Sequence, residues 1–354
     1  MNAKRLHTFV FKWFEESLEL DSVCLKIMVT ERNHAVDLLK FLAAILITNS
    51  HMGALYPGVF HSLATGGAIG DGLFFFCSGY LLMMGKEYDF FNWYKRRINR
   101  IFPTVFAIAI FGILVFGKDP TLKSVIINGG GWFVKAILVF YAVFWFVKHC
   151  LSERMWVAYL IDGIIVMAWY LLFYERDVNP TFAGVDYFRW PCFFMIMLLG
   201  ASSYIIETRK VLNSGGCILY LVLLVPLLAF YYGYQHLESR FVLLKDLQIV
   251  LLPALMGIIW CVYRICSNER VIKCYRNKYF YWPAYYISAC CLEIYLCQWW
   301  CFDFGSNLIH YFPLNVIATF ILVFIVAYLV KVFSIFLSQT FKTEKYDWKG
   351  MVKL

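Results

Sequence analysis

Charge is scarce in this sequence. Asp, Glu, Lys and Arg make up 16% of the 354 residues, against about 25% in an ordinary soluble domain. That shortage excludes a water-soluble globular chain of this length. Metal-ligand spacing is missing as well. The twelve Cys include no Cys-x-x-Cys pair. Cys192, Cys217, Cys261, Cys290, Cys291, Cys297 and Cys301 sit in or beside apolar runs, where a thiol behaves as a small hydrophobe. Neither structural zinc nor an essential disulfide framework is expected. No second His stands at ligand spacing from His51, so no metal site is expected there either. The chain shows no linker, no low-complexity tract and no clear internal repeat. Met1 to Val29 does not read as a signal peptide, because Glu15, Glu16, Glu19 and Asp21 interrupt it. Phe9, Phe11, Trp13, Phe14 and Leu18 suggest instead a short amphipathic segment on a membrane surface.

What fills the sequence is apolar residues, 62% of the chain, with aromatics at 20%. Runs of membrane-spanning length recur about ten times. They lie near 36–51, 67–85, 101–117, 132–148, 156–174, 190–206, 217–234, 249–266, 280–299 and 314–336. The expected fold is therefore an all-α polytopic membrane protein of about ten transmembrane helices. It divides into an N-terminal cytoplasmic segment (1–35), a membrane domain (36–337) and a cytoplasmic tail (338–354). If the N-terminus is cytoplasmic, 25 of the 32 Lys and Arg fall on that side. This asymmetry places both termini inside and gives an even number of spans. The net charge of +9 is thus a topology signal and no argument for nucleic-acid binding.

The first span, Asp37 to His51, carries polar residues at both ends of an apolar centre. At about 100° per residue, Lys40 and His51 fall within roughly 20° of each other, with Asp37, Ala44 and Thr48 close to the same line. A polar stripe at membrane depth must face protein or water. The plainer reading is a membrane helix with an anchoring Lys at one mouth and an interfacial His at the other. After the second span, Phe91 to Pro103 reads as a basic loop with Lys95, Arg96, Arg97 and Arg100 in six positions. Arg97 and Arg100, at i and i+3, suit phosphate through paired charge-assisted hydrogen bonds, and Trp93 and Tyr94 offer stacking surfaces. Contact with anionic lipid heads is the alternative.

The second span holds Gly70-Asp71-Gly72-Leu-Phe-Phe-Phe-Cys77-Ser78-Gly79-Tyr80. Its small residues allow close helix approach, and Ser78 can present a hydroxyl to a ligand. Gly129-Gly130-Gly131-Trp132-Phe133 opens the fourth span, either bending close to a substrate or placing Trp132 in an interfacial belt. In the ninth span Glu293 lies among apolar residues near Ser288 and Tyr295. A carboxylate there is either functional or the partner of a cation on another helix. His34, His61, His149, His236 and His310 read as ordinary interfacial residues.

In combination these segments resemble the type 3 family of integral membrane acyltransferases. The family pattern is an acid, a base and a later His in the first helix, a Phe-Phe-x-x-Ser-Gly-aromatic run, an Arg-x-x-Arg-Ile-x-Pro segment, a Trp-aromatic start to the fourth helix and a late Ser…Ile-Tyr-Leu. Here these are Asp37/Lys40/His51, Phe74 to Tyr80, Arg97 to Pro103, Trp132-Phe133 with Tyr141, and Ser288 to Leu296. Lys40 stands where many members have Arg, Gly72 where an acid is common, and Gln298 where a His is common.

The resemblance implies transfer of an acyl group, most often acetyl, from cytoplasmic acyl-CoA to a hydroxyl of a cell-envelope polysaccharide or lipid-linked sugar. Its setting would be the inner (plasma) membrane, with no tightly bound cofactor. His51, Asp37 and Lys40 are the expected catalytic group. Lys95, Arg96, Arg97, Arg100 and Ser78 would hold the donor, and Trp132, Glu293 and Tyr295 the acceptor. His51 would act as general base or be acylated itself. The competing reading is a glycan or lipid exporter with no acyl chemistry.

Overall fold

The computed structural model describes residues 33–117, 121–175, 187–209, 216–238, 240–309, 311–341 and 345–352. The N-terminal amphipathic segment expected from the sequence lies outside them. Among the described residues every regular element is helical. The helices are α1 His34–His51, α2 Gly67–Met84, α3 Phe90–Phe116, α4 Leu122–Asn128, α5 Gly131–Leu151, α6 Met155–Leu172, α7 Arg189–Thr208 and α8 Cys217–Glu238. They continue as α9 Val242–Asp246, α10 Leu251–Cys266, α11 Glu269–Tyr275, α12 Lys278–Ala289, α13 Cys291–Leu308, α14 Leu314–Thr340 and α15 Trp348–Val352.

Among the described residues, eight helices, α2, α3, α5, α6, α7, α8, α10 and α14, are long and apolar enough to cross a membrane. The other two crossings expected from the sequence are α1, whose ends are polar, and the stretch now divided into α12 and α13. Both are packed inside the bundle, α1 against α2, α10, α12 and α13. Connectivity also requires α12–α13 to run the length of the bundle. α10 ends at the loop bearing Arg270, Lys273, Arg276 and Lys278. α14 begins at the opposite end, where the Asn315 amide donates to the Leu55 carbonyl just beyond α1 (2.8 Å).

Two elements differ from the sequence expectation. The basic segment is no loop: α3 begins at Phe90, so Lys95 to Arg100 occupy its first three turns. The Asp89 side chain caps this helix, accepting from the Asn92 backbone N–H (3.1 Å) and from the Asn92 side-chain amide (2.6 Å). These hydrogen bonds hold the Asp89 carboxyl below its usual range. The cap is therefore ionised at neutral pH and is lost only as pH falls through that lowered value. The density of charge suggested a loop, but the segment is helical throughout, and Pro103 sits inside the helix. Second, the ninth span breaks at Cys290 (φ −99°, ψ 13°), which ends α12 and starts α13. His34, expected at an interface, is buried against Tyr275 and Tyr281, with ring centroids at 5.5 and 6.2 Å.

The centre of the bundle is the α2–α7 crossing, where Gly79 lies against the Met197 carbonyl and Gly200 against the Phe76 carbonyl. A small-residue contact on both helices lets the two backbones meet. At the end of α2, the buried Lys148 ammonium of α5 donates to the carbonyls of Leu82 (3.0 Å) and Gly85. A cation there satisfies carbonyls left open by the helix end and meets the negative pole of its dipole. Lys148→Met leaves these acceptors without their donor. It should lower stability by about 1.5–3 kcal/mol, read as a lower Tm of the detergent-purified protein.

Candidate active site

The site begins at the break in the ninth span. Because α12 stops and α13 restarts there, Tyr285, Ser288, Ala289, Cys291, Leu292, Glu293 and Tyr295 all reach one cavity, which a continuous helical face would not permit. Its other walls come from α1 (Lys40), α2 (Phe74, Cys77, Ser78), α3 (Arg97, Arg100, Ile101), α5 (Phe133, Tyr141) and α14 (Lys331). The cavity measures about 390 Å³. A more open pocket of about 460 Å³, lined by Lys86, Tyr88, Arg96, Arg97, Asn99 and Arg100, shares its two arginines.

Electrostatics set what such a space accepts. Lys40, Arg97, Arg100 and Lys331 line the inner cavity against one carboxylate, Glu293. An anion with a narrow extension fits this distribution. Arg97 is held in place by its neighbours. Its guanidinium stands 4.6 Å from the Trp93 ring centroid and 5.9 Å from that of Tyr141, a cation–π arrangement. Arg96 lies over Tyr88 at 4.1 Å. Trp93 is fully buried, with its indole N–H on the Tyr141 carbonyl (3.2 Å). It is therefore unavailable to stack on a ligand, contrary to the sequence expectation, and serves as the floor beneath Arg97.

The polar wall is ordered by hydrogen bonds. The Ser288 hydroxyl donates to Asp37 Oδ1 (3.3 Å), both residues being buried. Asp37 thus stands directly behind the cavity and not on its surface. Glu293 Oε1 accepts from both the Thr104 hydroxyl (3.0 Å) and the Lys331 ammonium (3.0 Å). The predicted cation partner of Glu293 is therefore present, and both residues face the cavity.

Of the sequence candidates, Lys40, Ser78, Arg97, Arg100, Glu293 and Tyr295 share the inner cavity, Arg96 lines the outer pocket, and the exposed Lys95 lines neither. Trp132 is also off the cavity, packed under the Arg189 guanidinium at 3.8 Å and against Phe75 and Phe193. Asp71 and Arg189 lie near Tyr295, and Gly131, at φ +62°, faces its hydroxyl. These residues form a second polar group at the end opposite the arginines.

His51 does not line the cavity. It ends α1 about 16 Å along the axis from Lys40, is exposed, and lies 4.5 Å from the Trp299 ring of α13. Asp37–Ser288 at one end of α1 and His51–Trp299 at the other show that its polar stripe follows α12–α13, as its periodicity requires. Phe74, Phe133 and Tyr295, whose rings pack at 5.6 and 5.1 Å, form an aromatic layer in the cavity wall. Sharing one line on α1 thus does not bring Lys40 and His51 into one cavity.

Sequence reasoning missed Lys331 and Thr104. Lys331 carried a usable signal, as a lone cation within the apolar run 314–336; Thr104 carried none. Among the described residues no group of His, Cys, Asp and Glu is placed to hold a metal ion.

A family model described as an acyltransferase domain matches residues 33–333. No curated protein and no solved structure gives a match. The match begins at the cap of α1 and ends within α14, so it takes in all of the cavity lining except Ile335. The chain therefore belongs to the type 3 acyltransferase family and is a multi-pass membrane acyltransferase.

Proposed function

We propose that this protein moves an acyl group, in the simplest case acetyl, from acyl-CoA on the Lys/Arg-rich side of the inner (plasma) membrane to a hydroxyl of a cell-envelope polysaccharide or lipid-linked sugar. The observation that carries this reading is the pair of pockets that share Arg97 and Arg100 in their walls. The open one is broad and basic, suited to a nucleotide with phosphates. The inner one is more enclosed, and beside its cations it presents Ser78, Ser288, Cys77 and Ala289 among apolar and aromatic side chains, a mixed lining suited to a pantetheine arm. Guanidinium forks bind phosphate by paired hydrogen bonds, and Lys40 adds a point charge deeper in.

In this reaction the acceptor oxygen attacks the thioester carbonyl, the C–S bond breaks, and the acceptor's proton passes to the CoA sulfur through a base. His51 is the proposed base, at the end of the bundle where an envelope glycan would approach, since imidazole titrates near neutral pH. Trp132 and Tyr295, with Asp71 and Arg189 beside them, would hold the sugar. The thioester then has to pass the Phe74–Phe133–Tyr295 layer, so the rings must part when the donor is bound.

The test is transfer of radiolabelled acetyl from acetyl-CoA to envelope polysaccharide in membranes carrying wild-type or His51→Ala protein. A lost general base predicts a fall of about 10²–10⁴ in transfer, with CoA affinity within about twofold of wild type. Undiminished transfer by His51→Ala would remove His51 from the chemistry. A labelled acyl-enzyme in wild type that disappears in His51→Ala would assign the two-step route.

A further inference from the structure

Glu293 has an oxygen to spare. Its Oε1 takes both hydrogen bonds, from Thr104 and Lys331. Its Oε2 is buried and has no partner among the described residues, although the side chain lines the cavity. The carboxylate is 1% exposed. A buried acceptor left unsatisfied costs about 1–3 kcal/mol, so its survival in a cavity wall calls for a donor that arrives with the ligand. Lys331, at 3.0 Å, keeps the pair neutral in charge. The incoming group therefore need not be a cation, and a neutral N–H suffices.

Depth identifies which N–H. Thr104 follows Arg100 by four residues on α3, one turn or about 6 Å farther into the bundle. Glu293 therefore lies beyond the phosphate-binding arginines and short of the aromatic layer at Phe74, Phe133 and Tyr295. On a donor whose phosphates rest at Arg97 and Arg100, the groups at that level are the amides of the pantetheine arm. The thioester comes after them. We infer that the Thr104–Glu293–Lys331 cluster is a reader of the donor's arm: Glu293 Oε2 accepts an amide N–H of pantetheine, while Thr104 and Lys331 fix the carboxylate's orientation. This rests on the acyl-CoA reading and adds to it a determinant of donor identity. Glu293 so placed selects donors with an amide arm over acyl phosphates or simple thioesters.

The experiment measures binding of CoA and of adenosine bisphosphate, which has phosphates and no arm, to purified full-length protein. Glu293→Gln and Lys331→Met should each weaken CoA and leave adenosine bisphosphate within about twofold. Loss of a hydrogen bond to a charged group predicts about ten- to a hundredfold for Glu293→Gln. Equal losses for both ligands, or none, would overturn the inference while leaving the acyl-CoA reading intact. Failure of the wild type to bind CoA would overturn both. A second measurement needs no variant. Wild-type protein should bind a CoA analogue with ester oxygens in place of the arm's amide N–H groups at least about tenfold more weakly than CoA, and equal affinity would overturn the assignment.

Discussion

Protein in which Arg97 and Arg100 are both replaced by Gln should bind CoA at least about a hundredfold more weakly than wild type and transfer no measurable acyl group. Each residue lines both pockets, so each reaches whatever occupies either. A charge-assisted contact contributes about 1.5–3 kcal/mol, and two independent ones together correspond to about 10²–10⁴ in affinity. The single variants should not be equal. Arg97 is stacked between Trp93 and Tyr141 and is pre-positioned, so little conformational entropy is lost when it binds phosphate. Arg100 is more exposed and should matter less. Lys95→Gln is the control, because its side chain lines neither pocket. Isothermal titration of CoA into detergent-purified protein checks all four variants, and an unchanged affinity in the double variant would break the link between the basic pocket and the donor.

The second large effect concerns assembly. Gly79→Ala and Gly200→Ala should each prevent the folded bundle from forming, or leave it too unstable to purify as a single species. A methyl group on Gly79 would overlap the Met197 carbonyl, and one on Gly200 the carbonyl of Phe76. Those neighbours are backbone in the middle of helices, so no rotamer change relieves the overlap. Both helices would have to move apart along their main contact. Overpacking commonly costs about 1–3 kcal/mol, and a backbone clash belongs at or above the upper end. Gly233→Ala is the counterpart, since nothing stands near its added methyl. It should be neutral or stabilise α8 by up to about 1 kcal/mol. Size-exclusion profiles and Tm of the three proteins, compared with wild type, would check this. Normal profiles for Gly79→Ala and Gly200→Ala would show that the α2–α7 contact is looser than the structure has it.

Most helices could be placed from sequence because a bilayer imposes its own length and apolarity on a span, and 314–336 or 217–234 have no other use. α3 could not be started correctly. Its first turns are charged, and charge ends a membrane span without ending a helix; the Asp89 cap, a local hydrogen bond, decided where α3 begins. The break at Cys290 was also hidden, because Ala289 to Cys297 is apolar apart from Glu293 and shows no Gly or Pro.

The site was legible in its residue types and partly in its membership. Lys40, Ser78, Arg97, Arg100, Glu293 and Tyr295 were chosen from four short motifs and meet around one cavity. Trp93 was misjudged because an aromatic beside a basic cluster looks the same in sequence whether it faces solvent or lies beneath the arginine.

Chain length and the spacing of apolar runs were enough to establish a helical membrane protein, since these follow from how water and lipid treat each residue separately. The periodicity of α1 was enough to put Lys40 and His51 on one line. Which surfaces that line meets depends on how neighbouring helices are rotated and how closely they approach. Lys40 and Lys331 share a cavity across most of the chain, Lys331 reaches Glu293, and His51 lies off the cavity that the arginines line. These relations come from contacts between distant segments, and only packing in three dimensions creates them.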